Sequence, residues 1–178
     1  MKISFSLANS LSLFRIIIAP PIAWSISAGC WLTASLLLTL AILSDVFDGP
    51  LARKKGQDSS FGGLLDHSCD ALLVTILLFA LTETHNIPVL LPILVLASFI
   101  QYVVDSRAIS GHRLRTSLLG RYNGIGYFVL AALCIYSSGL EKSFFPESFF
   151  ATCAWILIFS TLLSMFERFW TLISKQTP

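Results

Sequence analysis

Six long apolar runs divide this chain, at about 10–28, 31–49, 62–82, 88–106, 122–139 and 150–170. Each lies near the roughly 20 residues that an α-helix needs to cross a bilayer. Lipid offers the backbone no hydrogen-bond partner, so segments of this kind close their bonds internally as helices. The expected fold class is therefore all-α, an integral membrane bundle of six transmembrane helices in a single domain over 1–178. The composition agrees. Of 178 residues, 55% are hydrophobic and only 12% charged, with a mean hydropathy of +0.78, whereas soluble domains carry about 25% charged residues. A water-soluble enzyme is excluded.

Pro20-Pro21 in the first run should bend that helix. The stretch Ser6 to Arg15 suits a short N-terminal helix lying in the membrane interface, with Asn9 and Arg15 on its polar side. The first run is longer than the core of a typical signal peptide and lacks a small-x-small cleavage pattern, so a retained helix is expected.

The basic residues orient the bundle. Lys2, Arg15, Arg53, Lys54, Lys55, Arg107, Arg113, Arg115, Arg121, Arg168 and Lys175 fall on one side of a six-span arrangement, and Lys142 alone falls on the other. The positive-inside rule then places both termini and the second and fourth loops in the cytoplasm. Cys30, Cys69, Cys134 and Cys153 show no paired spacing, which leaves them as packing residues with no disulfide framework or zinc motif.

Against this apolar background stand four aspartates, Asp45, Asp48, Asp66 and Asp70. A carboxylate deep in a bilayer costs roughly 2.5–3.5 kcal/mol on insertion scales. A single one at a helix end would merely reach out to water. Four together call for a strong positive partner. Asp45 and Asp48 lie three residues apart, and Asp66 and Asp70 four apart, so each pair shares a helix face. Two antiparallel helices joined by a short loop can aim all four at one point near the cytoplasmic surface. Oxygen ligands at this density suit magnesium or manganese, and two such ions form an arrangement that clamps a phosphoryl group. Gly49 and Ala52 leave room for a ligand, Arg53 can bind a phosphate or a base edge, and Gly62 lets the next helix begin close to a nucleotide.

The string from Asp45 to Asp70 fits D-x-x-D-G-x-x-A-R, eight residues, G-x-x-x-D-x-x-x-D without a substitution. The chain therefore resembles the CDP-alcohol phosphotransferases. Asn9-Ser10-Leu11-Ser12-Leu13-Phe14-Arg15 is similar to the N-x-x-S/T-x-x-R opening of the family's prokaryotic members. The resemblance implies transfer of a substituted phosphate from a CDP-linked donor to an alcohol, with release of CMP. It implies that Asp45, Asp48, Asp66 and Asp70 hold two Mg2+ or Mn2+ ions and that Asp70 is also the catalytic base. Gly49, Ala52, Arg53 and Gly62 match positions that line the cytidine diphosphate. A bacterial inner membrane is the implied location, with a homodimer an admissible assembly.

The second half departs from the L-D-P-x-A-D-K of phosphatidylglycerophosphate synthases, for it reads Leu65-Asp66-His67-Ser68-Cys69-Asp70-Ala71. His67 neighbours Asp66 along the helix and is expected to point away from the metals. Arg107, Arg113, Arg115 and Arg121 are candidates to bind an acceptor phosphate, or equally anionic lipid head groups. Ser117-x-x-Gly120-Arg121-x-Asn123 is similar to a segment of glycerol-phosphate-using and cardiolipin-forming members. The expected reaction is transfer of a phosphatidyl group from CDP-diacylglycerol to a small polar alcohol of the glycerol 3-phosphate type. The alternatives are transfer of a phospho-amino-alcohol from a soluble CDP donor to diacylglycerol, a divalent-cation-handling membrane protein, and an inactive relative.

Overall fold

The computed structural model describes residues 7–54, 60–106, 117–140 and 145–174, and within them all side chains except those of 7–9, 11, 47–54, 60–61, 147 and 172–174. These residues form six helices: α1 (Leu7–Ser27), α2 (Trp31–Lys54), α3 (Ser60–Leu81), α4 (Leu90–Asp105), α5 (Leu118–Gly139) and α6 (Glu147–Ser174). Each covers one of the apolar runs, with ends a few residues away from those the pattern suggests.

One expectation needs correction. The stretch up to Arg15 is no separate interfacial helix, because α1 continues unbroken from Leu7 through Pro20 and Pro21 to Ser27. Membrane helices tolerate proline because neighbouring groups satisfy the freed carbonyls, and here Ser25 Oγ donates to Pro21 O at 2.8 Å. Among the described residues, only Gly62–Leu81, Leu118–Gly139 and Ser148–Thr171 are long and apolar enough to cross a membrane by length and composition. Within the described residues, α1 and α2 give apolar stretches of Ser12–Ser27 and Trp31–Val46. α4 has 16 residues, about 24 Å of helix against a hydrocarbon core of about 30 Å.

α1 packs chiefly on α2 and α3, while α5 meets α2, α3 and α6, and α4 lies between α3 and α6. The core uses helical spacing on each element: Ile18, Ile22 and Ile26 on α1, Ala34, Leu38 and Ala41 on α2, Leu73, Leu77 and Leu81 on α3. Outward positions are also apolar, among them Trp24, Leu36, Phe159 and Phe166, a surface suited to hydrocarbon rather than water. Hydrogen bonds cross between helices where polar groups are enclosed. Ser160 Oγ donates to Asn123 Oδ1 at 2.6 Å, and Gln101 Nε2 donates to Met165 O at 3.1 Å.

The end of the bundle away from the aspartates is closed by ring packing. His85 sits edge-on to both Trp31 and Phe150, and its Nε2 lies 2.9 Å from Ser138 Oγ. The α1–α2 turn here is a Schellman motif. Cys30 N donates to Ser25 O at 2.8 Å and Gly29 N to Ile26 O at 3.0 Å, with Gly29 at φ +69°. A side chain in that left-handed conformation is strained even where there is space, and a Cβ on Gly29 would meet no atom within 4 Å. Gly29→Ala should therefore lower stability by about 1 kcal/mol with no change in activity, as read by unfolding in detergent. An unchanged midpoint would contradict this. Cys69 and Cys134 are buried, as packing residues should be, but Cys30 is exposed in this turn.

Candidate active site

α2 descends towards the end of the bundle where α3 begins, and α1 passes beside both. Asp45 on α2 and Asp66 and Asp70 on α3 come together there, with one carboxylate oxygen from each lying within 4.8 Å of the others. Asp66 and Asp70 are one turn apart on the same face, so the spacing reading holds for this pair. Asp48, Gly49, Ala52 and Arg53 lie on the helical backbone of α2, with side chains outside the described residues. Gly62 falls in the first turn of α3 and is half-buried. Among the acceptor candidates, Arg107, Arg113 and Arg115 lie outside the described residues.

Two unit charges at the spacing of these carboxylates repel by roughly 4 kcal/mol at an effective dielectric near 20, before solvent screening. Arg15 of α1 offsets that repulsion. Its Nη1 donates to Asp45 Oδ1 at 2.6 Å and also to Asp70 Oδ1, and its Nη2 donates to Asp66 Oδ1. Ser12, one turn earlier on the same face of α1, donates to Asp66 Oδ1 at 3.0 Å. The Arg15 side chain is 1% exposed, whereas those of Asp45, Asp66 and Asp70 are 54%, 35% and 46% exposed. The cation is thus enclosed, and the carboxylates keep a face open to a ligand. This overturns the placement of Arg15 on an interfacial polar face. The N-x-x-S-x-x-R string was the signal that could have found it, since it sets Ser12 and Arg15 on one stripe of an otherwise apolar helix.

The open faces of Asp45 and Asp70 give onto a cavity of about 490 Å³ that reaches across to α4, α5 and α6. Arg15, Asp45 and Asp70 line one wall, and Arg121 and Arg168 line another. The volume suits a small molecule. His67 also lines the cavity, half-exposed, with Nδ1 3.8 Å from Asp66 Oδ2, so it leans towards the cluster rather than away from it.

Arg168 is the second residue that the sequence reading missed as a site candidate. Its guanidinium carbon lies 4.8 Å from the Tyr102 ring centroid, and Nη2 donates to Ser117 Oγ at 3.4 Å. Ser117 caps α5 by accepting from Gly120 N at 3.1 Å. A Cβ on Gly120 would lie 2.9 Å from both Arg168 Nη2 and Ser117 Oγ, so the absence of a side chain there makes the space for Arg168. Thr161, Ser164 and Arg168 share the cavity-facing side of α6, a polar stripe in an apolar helix that marks them in the sequence.

A family model described as CDP-alcohol phosphatidyltransferase matches residues 5–166, from the start of α1 nearly to the end of α6. The chain belongs to that family. Over 90 residues it is 36% identical to the CDP-diacylglycerol--glycerol-3-phosphate 3-phosphatidyltransferase of Escherichia coli (strain K12). The same identity holds for the proteins of that name from Escherichia coli O157:H7 and Shigella flexneri serotype 5b (strain 8401). Each match covers 46% of this chain and 47% of the relative, so it spans about half the length of these curated proteins. CDP-alcohol phosphatidyltransferases are in general dependent on a divalent metal. The donor set in this member fits such an ion: hard carboxylate oxygens of Asp45, Asp66 and Asp70 converge from two helices.

Proposed function

We propose that this family member transfers a phosphatidyl group from CDP-diacylglycerol to a small alcohol that carries a phosphate, of the glycerol 3-phosphate type, and releases CMP. The observation that carries the reading is one cavity with carboxylates on one wall and two arginines on another. A nucleotide-linked donor and a phosphorylated acceptor need those opposite chemistries side by side. The name of the relatives over the matched 90 residues supports the same acceptor.

In this reading Asp45, Asp48, Asp66 and Asp70 hold Mg2+ or Mn2+, which supplies charge stabilisation at the diphosphate when bound. Gly49, Ala52, Arg53 and Gly62 seat the cytidine diphosphate. Arg168 and Arg121 hold the acceptor phosphate by charge-assisted hydrogen bonds, which fixes the position of its free hydroxyl. Asp70, on the cavity wall, accepts the proton of that hydroxyl as its oxygen attacks the phosphorus of the donor. Among the described residues that line the cavity none resembles an activated serine or cysteine, and a single displacement fits that lining. The apolar flanks of the bundle hold the acyl chains of the donor, with six spans in a bacterial inner membrane and the site and both termini at the cytoplasmic face.

The test offers the purified protein two donor–acceptor pairs in Mg2+: CDP-diacylglycerol with glycerol 3-phosphate, and a soluble CDP-amino-alcohol with diacylglycerol. Mass spectrometry of the lipid product should show a new phosphatidyl lipid from the first pair only. A product from the second pair alone would replace this reading with phospho-amino-alcohol transfer.

A further inference from the structure

The reaction above gives Arg15 no task, yet its side chain is among the largest fully buried in the described residues. An arginine does not shed its proton inside a protein, so a full positive charge stays within the bundle. Its contacts define what that charge does. The two Nη atoms reach the Oδ1 oxygens of Asp45, Asp66 and Asp70. Those are the three carboxylates whose oxygens gather within 4.8 Å. Ser12 Oγ completes the arrangement, lying 3.2 Å from Nη2 and 3.0 Å from Asp66 Oδ1. The planar fork of the guanidinium thus bridges α1, α2 and α3 through the very groups that a divalent ion would need.

We propose that Arg15 is a displaceable internal counter-ion. It neutralises and holds together the carboxylates of the metal-free protein, and it competes with the divalent ion for them. Loading of the metal and release of Arg15 are then one equilibrium. This inference rests on the metal site of the proposed function. It follows from the geometry because two cations cannot share these oxygens without mutual repulsion, and the arginine is built into α1 at the right height. The competition keeps a site so rich in negative charge from collapsing or splaying when no ion is bound. Its cost is a weaker affinity for the metal than four bare carboxylates would have.

The test uses the full chain in detergent with Mn2+ as the probe, free ion being followed by electron paramagnetic resonance. Arg15→Gln should bind Mn2+ about tenfold more tightly than the wild type. In EDTA the same variant should melt well below the wild type, and the gap should narrow at saturating Mn2+. Arg15→Lys keeps a charge but cannot bridge three carboxylates with a planar fork, so it should fall between the two on both measures. Equal or weaker Mn2+ binding by Arg15→Gln, or the same melting gap with EDTA and with Mn2+, would overturn the proposal and leave Arg15 a fixed structural bridge. If Arg15→Gln folds only with Mn2+ present, the proposal is supported. If it folds in neither condition, Arg15→Lys decides by the same comparison of gaps. A wild type that binds no Mn2+ would overturn the metal site itself, and this inference with it.

Discussion

Asp70→Asn should abolish CMP release from CDP-diacylglycerol, with a loss of at least about 10³-fold in kcat. The substitution conserves shape and removes two things together. The carboxylate that faces the cavity can no longer take the proton of the acceptor, a contribution of about 10²–10⁴-fold where a positioned base is lost. It also leaves the acidic cluster with one charge fewer to offer a divalent ion. The fold should survive, because Arg15 keeps Asp45 and Asp66 as partners and the core of α3 at Leu73, Leu77 and Leu81 is untouched. Release rates measured beside a melting curve check both halves. A variant that is folded and retains more than a tenth of the wild-type rate would remove Asp70 from the chemistry.

Arg168→Gln should act on the acceptor rather than on the chemical step. A hydrogen bond to a charged group contributes about 1.5–3 kcal/mol, and each 1.4 kcal/mol is tenfold. The KM for glycerol 3-phosphate should therefore rise by about 10- to 100-fold with kcat little changed, the pattern of lost binding that is uniform along the reaction. The KM for CDP-diacylglycerol should stay where it was. Arg168 is held over Tyr102 and against Ser117, so glutamine removes the guanidinium from the cavity wall and its stacking on the buried Tyr102 ring. Steady-state kinetics with each substrate varied in turn make the measurement. An equal fall in kcat at unchanged KM for both substrates would place Arg168 outside the acceptor site.

The helices were legible because hydrophobic run length is a local property. Each apolar run is bounded by charge or by turn residues, and the helix that forms there differs at its ends by a few residues. The Asp66–Asp70 pair was legible for the same reason, since a spacing of four residues puts both carboxylates on one face whatever the helix packs against. What the sequence hid is long-range. Arg15 is 30 residues from Asp45 and 55 from Asp70, and the local stripe of Ser12 and Arg15 does not say which helices it faces. Arg168 was hidden by proximity along the chain, which drew the acceptor site towards Arg107–Arg121 when α6 returns to the same cavity. His67 was misjudged by its neighbour, because adjacency to Asp66 suggested opposite faces, while the half-exposed ring bends back along the cavity wall. Among the described residues, three helices meet the length and composition of a membrane crossing.

In the proposed reaction the cavity between the aspartates and the arginines joins a CDP-linked lipid to a phosphorylated alcohol. The most direct measurement is CMP release by purified wild-type protein from CDP-diacylglycerol in Mg2+, with and without glycerol 3-phosphate. Release should depend on the acceptor, match the lipid product one for one, and stop on chelation of the metal. Folded protein that binds Mg2+ yet releases no CMP with that pair of substrates would contradict the proposed reaction.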